Sequence, residues 1–146
     1  MTAFEKIATD DGGKTNFTTM TISVTQPGGN PSCNTNGVLR EVWDNIWNGS
    51  IAAMTTDPRY PNSPTSSAFL ADFIAPTDIG NGYGARMRAY LVAPETGVYT
   101  FWVASGNEGQ LWLSTDSNAN NITQIAQTFW SPEQAWDYSS GQKSAD

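Results

Sequence analysis

Histidine is absent from the 146 residues, and a single cysteine, Cys33, is present. Without histidine there is no Ser-His-Asp or Cys-His machinery, no imidazole metal ligand and no imidazole switch near neutral pH. One cysteine excludes an internal disulfide and a thiolate zinc site. Cys33 sits in the loop-like Pro31-Ser32-Cys33-Asn34 with no base to activate it. It reads as an unpaired or packed thiol rather than a nucleophile. Charge is scarce too: only 14% of residues are charged, 7 of them basic and 14 acidic. The net charge of −7 repels phosphate backbones and the bases form no run, which argues against nucleic acid as a partner.

No apolar run approaches the ~20 residues of a membrane-spanning helix, so no membrane insertion is expected. The opening Met1-Thr2-Ala3-Phe4-Glu5-Lys6 lacks the basic and apolar regions of a signal peptide. The sequence reads either as a cytosolic protein or as a segment of a longer chain that is extracellular or at the cell surface.

Aromatic residues are plentiful at 12%, six of them Trp, beside 13 Gly and 8 Pro. That profile fits a turn-rich β protein and not a disordered one. The length suits one domain with a proper core. Residues 17–25 alternate, with Met20, Ile22 and Val24 on one face, before a Gly/Pro break. Residues 1–30 therefore read as an N-terminal strand and linker, either the end of a preceding domain or a returning sheet edge. Residues 37–146 read as the main domain, with strands at 38–43, 69–73, 85–92, 98–104, 110–114 and 121–128. Residues 45–54 form a short helical or irregular turn carrying Ile46 and Ile51. Pro58, Pro61 and Pro64 keep 55–67 out of any sheet. Arg86 and Arg88 share a strand face and are expected to pair with acidic residues on a neighbouring strand. Short strands with regular turns predict an all-β, antiparallel β-sandwich in a single domain.

The most informative stretch is 95–114, two aromatic strands joined by the polar loop 105–109. Such a loop is where a β module places a ligand site. Here the residues carry a resemblance. Gly37-Val38-Leu39-Arg40-Glu41-Val42-Trp43, Tyr83-Gly84-Ala85-Arg86-Met87-Arg88-Ala89-Tyr90-Leu91, Ala93-Pro94-Glu95-Thr96-Gly97-Val98-Tyr99-Thr100-Phe101-Trp102 and Leu111-Trp112-Leu113-Ser114-Thr115 stand in this order. The ordered set resembles the protective-antigen-fourteen (PA-fourteen) domain, a module shared with flocculin-type adhesins.

The resemblance covers roughly 37–144. It implies a jelly-roll-like sandwich and a non-catalytic carbohydrate-binding or adhesion module, with a glycan or cell-surface polysaccharide as partner. It also implies calcium as a cofactor, held by two successive aspartates. Gly106 and Asn107 stand at those positions; the glycine has no side-chain oxygen and the amide no charge, whereas calcium favours several charged oxygens. The chain also resembles a module lacking its usual last strands, whose unpaired edges invite self-association.

The candidate ligand site is the 105–109 loop, with Ser105, Asn107 and Glu108 as polar contacts and Trp112 or Trp136 as an apolar wall. Asn107, Asp116, Asn118 and Asn120 are candidate metal ligands, the last three from a D-x-N-x-N pattern that lacks the glycine and final glutamate of a calcium loop. Glu41, Glu95, Glu108 and Glu133 contain no motif that singles out a glycosidase pair, so no catalysis is expected. Two other readings stand beside the lectin-like one. The chain could be a structural or self-assembling surface domain without ligand, or an accessory domain of a glycoside hydrolase or protease.

Overall fold

The computed structural model describes residues 2–10, 37–91, 97–116, 118–132 and 135–145. The chain is all-β and antiparallel. Among the described residues the strands are β1 (Thr2–Asp10), β2 (Val38–Asp44), β3 (Ser66–Leu70), β4 (Tyr83–Leu91), β5 (Gly109–Ser114) and β6 (Ile122–Thr128), with one short helix, α1 (Ile51–Thr55). They form one six-stranded sheet in the order β3-β2-β4-β1-β5-β6.

Alternation along the strands gives the sheet two different faces. On one face Val38, Met87, Leu111 and Ala126 are buried together with Phe73, Ala75, Phe101 and Val103 from outside the sheet. Those last four belong to a thinner second layer outside the sheet, which fits the expected sandwich. The layer is held by a short antiparallel exchange: Val103 N–H donates to the Gln142 carbonyl at 2.9 Å, and Ser144 N–H to that of Phe101 at 2.8 Å. The fully buried Gln142 latches it. Its Nε2 donates to the carbonyls of Val103 at 2.9 Å and Ala135 at 2.7 Å, while its Oε1 accepts from Ser139 N–H at 2.7 Å.

The opposite face packs Trp43, Ile46, Ile51 and Met54 under α1. Ser50 caps the helix, its hydroxyl accepting from Ala53 N–H at 3.2 Å. Ile51 and Met54, three apart, face the sheet. Contact is close because β4 has a glycine there: a Cβ on Gly84 would lie 2.5 Å from Met54 Sδ. Beside the helix, Glu41 Oε2 accepts from Arg86 Nε at 2.9 Å and from Arg88 Nη2 at 3.0 Å. The Arg86 guanidinium also lies 5.5 Å from the Trp43 ring and 5.2 Å from that of Tyr60. The arginines therefore pair with an acidic residue on a neighbouring strand, as their shared face implied.

Three details differ from the sequence reading. The N-terminal strand in the sheet is Thr2–Asp10, bonded to β4 and β5, whereas the strand expected at 17–25 and Cys33 lie outside the described residues. The strand expected at 98–104 makes only the isolated bridge Trp102↔Lys143. Its alternation is real, with Phe101 and Val103 buried and Trp102 exposed, but β5 already has β1 and β6 on its two sides. The strand expected at 69–73 instead runs from Ser66, inside the 55–67 stretch expected to stay out of the sheet but past its last proline, to Leu70. There Asp72 Oδ1 turns the chain by accepting from Ile74 N–H at 3.0 Å.

Neighbouring residues on β2 make opposite contributions. Glu41 is 7% exposed and satisfied by two arginines, whereas Arg40, 8% exposed on the other face, has Nε and Nη2 without a hydrogen-bond partner. Burial pushes the Arg40 guanidinium below its usual pKa, partly offset by Tyr83. Replacing Glu41 by Gln should destabilise the fold by about 3 kcal/mol, because it takes the carboxylate away from buried Arg86. Arg40→Met should stabilise it by about 1 kcal/mol, because it removes a buried cation with two unsatisfied nitrogens while keeping its volume. Urea unfolding of both variants checks the pair.

Candidate functional site

On the helix face, between α1 and the β5–β6 end of the sheet, lies an open groove of about 550 Å³. That volume is within the range of small-molecule sites. Its floor is Gln110 and Trp112 of β5 with Ile122 of β6, its near wall is Ile51, Ala52 and Thr55 of α1, and Tyr60 and Glu108 complete the rim. Gln110 and Trp112 share the face because they are two apart on one strand. Trp112 Nε1 donates to Gln110 Oε1 at 3.3 Å, which sets the indole and the amide relative to each other.

Glu108 fixes the groove's width. Its Oε2 accepts from Ile51 N–H, the first amide of α1, at 2.8 Å, and its own N–H donates to the Gly49 carbonyl at 3.3 Å. A carboxylate suits an orphan helix amide, because the helix N-terminus carries partial positive charge. Tyr60 is held by the segment before it. Arg59 Nη1 donates to Asp44 Oδ1 at 2.6 Å and Nη2 to Asp57 Oδ2 at 2.9 Å, while the Tyr60 ring packs 5.1 Å from that of Trp43. Hydrogen bonds from Arg59 hold the carboxyls of Asp44 and Asp57 below their ordinary pKa and raise that of Arg59 itself.

The groove brings together two of the five loop-site candidates, Glu108 and Trp112. Ser105 is buried instead: its N–H donates to Ser131 Oγ at 3.1 Å and its carbonyl accepts from Ser131 N–H at 2.8 Å. Asn107 and Trp136 are half-buried and are not among the groove's lining residues. Asp116, the one carboxylate among the metal candidates, spends both oxygens inside its own turn. Oδ1 accepts from Asn118 N–H at 2.7 Å and from Ser114 Oγ at 3.0 Å, Oδ2 from Asn121 Nδ2 at 2.8 Å. Asn118 Oδ1 likewise accepts from Asn120 N–H at 3.0 Å. These bonds, led by that from Asn121, hold the Asp116 carboxyl below its ordinary pKa. Among the described residues no three His, Cys, Asp or Glu side chains gather as a metal would require.

Of the carboxylates considered for catalysis, Glu41 lies in the arginine network and Glu108 caps the helix, while Glu95 and Glu133 lie outside the described residues. Sequence reasoning missed Tyr60, Gln110, Ile122 and the helix wall. The spacing of Gln110 and Trp112 was the available signal. Nothing local marked Tyr60, which reaches the site through the proline-bearing 56–65 segment.

No family model matches the chain, and no solved structure matches it. Over 96 residues, 66% of its length, the chain is 26% identical to fibrocystin of Canis lupus familiaris. The matched segment spans 2% of that protein. The chain is thus similar to a short piece of a far longer polypeptide.

Asp44, Asp57 and Asp116 all have folded pKa values below their unfolded ones. Their stabilisation is therefore present above the ordinary carboxylate range near pH ~4 and lost as pH falls through the folded values. Thermal unfolding followed from neutral pH downward should show the melting temperature falling below about pH 4. Arg59→Gln should flatten that fall, since it removes the first cause of two of the three shifts.

Proposed function

We propose that the chain is a non-catalytic, PA-fourteen-like module of an extracellular or cell-surface protein, and that it binds carbohydrate in the α1–β5 groove without calcium. The observation that carries this reading is the lining itself. Trp112 and Tyr60 offer aromatic surface, and Gln110 and Glu108 offer an amide and a carboxylate at the same opening. Sugars present an apolar C–H face and a rim of hydroxyls. Aromatic surface suits the first, and amides and carboxylates suit the second.

Two further observations support the reading. Three of the four ordered motifs that resemble the family, at 37–43, 83–91 and 111–115, fall on β2, β4 and β5, and Trp112 of the last lines the groove. Similarity to a short stretch of a much longer protein fits a module carried within a larger chain. A calcium-independent mode suits the sequence, because Gly106 and Asn107, at the positions of the family's paired aspartates, supply no carboxylate.

A glycan array, followed by calorimetry on the glycans retained, tests the proposal. Binding should be unchanged by a chelator and weakened at least about tenfold, or 1.4 kcal/mol, by Trp112→Ala or Tyr60→Ala. Trp136→Ala should leave it intact. Silence across the array, or calcium-dependent binding that survives Trp112→Ala, would refute the reading.

A further inference from the structure

The two edges of the sheet are built differently. β6 is partly covered and irregular: Gln127 N–H donates to the Gly141 carbonyl at 2.7 Å, and the β5–β6 register shifts between Leu111 and Trp112. β3 is the other edge. Its sequence, Ser66-Ser67-Ala68-Phe69-Leu70, carries no charge and no proline, and its first four residues are exposed. Phe69 alone is 52% exposed. Pairing with β2 runs unbroken from Val38↔Leu70 to Val42↔Ser66. The charges, prolines and bulges that normally keep an edge from pairing with another chain are all missing from this one.

β3 is also held in position. At its start Thr65 N–H donates to the Val42 carbonyl at 2.7 Å, and the Thr65 hydroxyl donates to Asp44 Oδ1 at 2.7 Å. At its end Asp72 fixes the turn to Ile74. A strand already ordered loses little freedom when another strand joins it.

The geometry points to a homodimer in which β3 pairs antiparallel with β3 of a second copy, about a two-fold axis through Ala68. Ala68 then lies opposite its own copy, Ser67 opposite Phe69 and Ser66 opposite Leu70. An antiparallel pair about a dyad is self-complementary whichever alternate backbone groups point outward, so a second copy satisfies this edge without adaptation. Copies carrying −7 each repel one another, which weakens the pair, and the uncharged edge is where that repulsion is least. Two five-residue edges form a contact smaller than standard, so the dimer is weak and dissociates on dilution.

The groove floor lies at the β5–β6 end of the sheet, away from β3, so the dimer leaves two grooves open. If the carbohydrate reading holds, a surface with repeated sugars then meets a bivalent partner. This last step rests on that reading; the dimer does not.

Sedimentation velocity without glycan, over about 5 to 500 μM protein, tests the dimer. The wild type should pass from monomer to dimer with rising concentration. Ala68→Lys, which sets two like charges across the dyad, and Phe69→Lys should each raise the dissociation constant at least about tenfold. Circular dichroism and thermal melting identify any variant that fails to fold, and either variant alone suffices. Thr123→Lys on β6 should leave the dimer unchanged. A wild type that stays monomeric throughout overturns the proposal and leaves β3 to a strand of another protein. Dimers that survive both β3 variants, or dissolve with Thr123→Lys, overturn it as well.

Discussion

Glu108 joins the two walls of the groove. Its carboxylate accepts the first amide of α1 at 2.8 Å across 57 residues of chain, and with its own N–H on the Gly49 carbonyl it ties the loop leading into β5 to the helix following β2. A helix of five residues has no stability of its own. It persists because Ser50 and Glu108 satisfy its N-terminus and because Met54 seats on Gly84. Remove these supports and the groove has a floor but no near wall. The residue that sequence reasoning chose as a ligand contact is thus a builder of the site as well as part of its rim.

β4 shows how one strand serves two chemistries. Its Met87 enters an apolar core shared with the second layer, while Arg86, next in sequence, enters a buried ion network roofed by Tyr60. Period-two alternation makes this possible. A closed apolar core on one side gives rigidity. Aromatic and charged groups on the other leave room for a cleft.

That alternation is also why much of the fold was legible. β2, β4 and β5 fall near their expected positions because Val, Leu, Met and Trp recur at strand spacing in them, and the weaker β6 because Ile and Thr favour a strand. The Glu41–Arg86 pair was legible as well, since two arginines on one face call for an acid beside them. The place of Thr2–Asp10 between β4 and β5 was not, because register with strands about eighty and a hundred residues away leaves no local pattern. Residues 98–104 show a subtler gap. Their alternation correctly told which side chains turn inward, but alternation does not say whether a neighbouring strand is free to complete a ladder. The groove was half legible for the same reason: its floor is one strand face, and its walls arrive from distant segments.

Gln142 makes the second layer indifferent to ionic strength. Its bonds to Val103, Ala135 and Ser139 are between neutral groups, and dissolved ions have no charge there to screen. The Arg59 cluster below Tyr60 is the opposite, a set of charges with Asp44 half exposed and Arg59 about a third. Rising salt therefore loosens the rim of the groove while the layer behind the sheet stays fixed. In a brine the molecule keeps its back and softens its face.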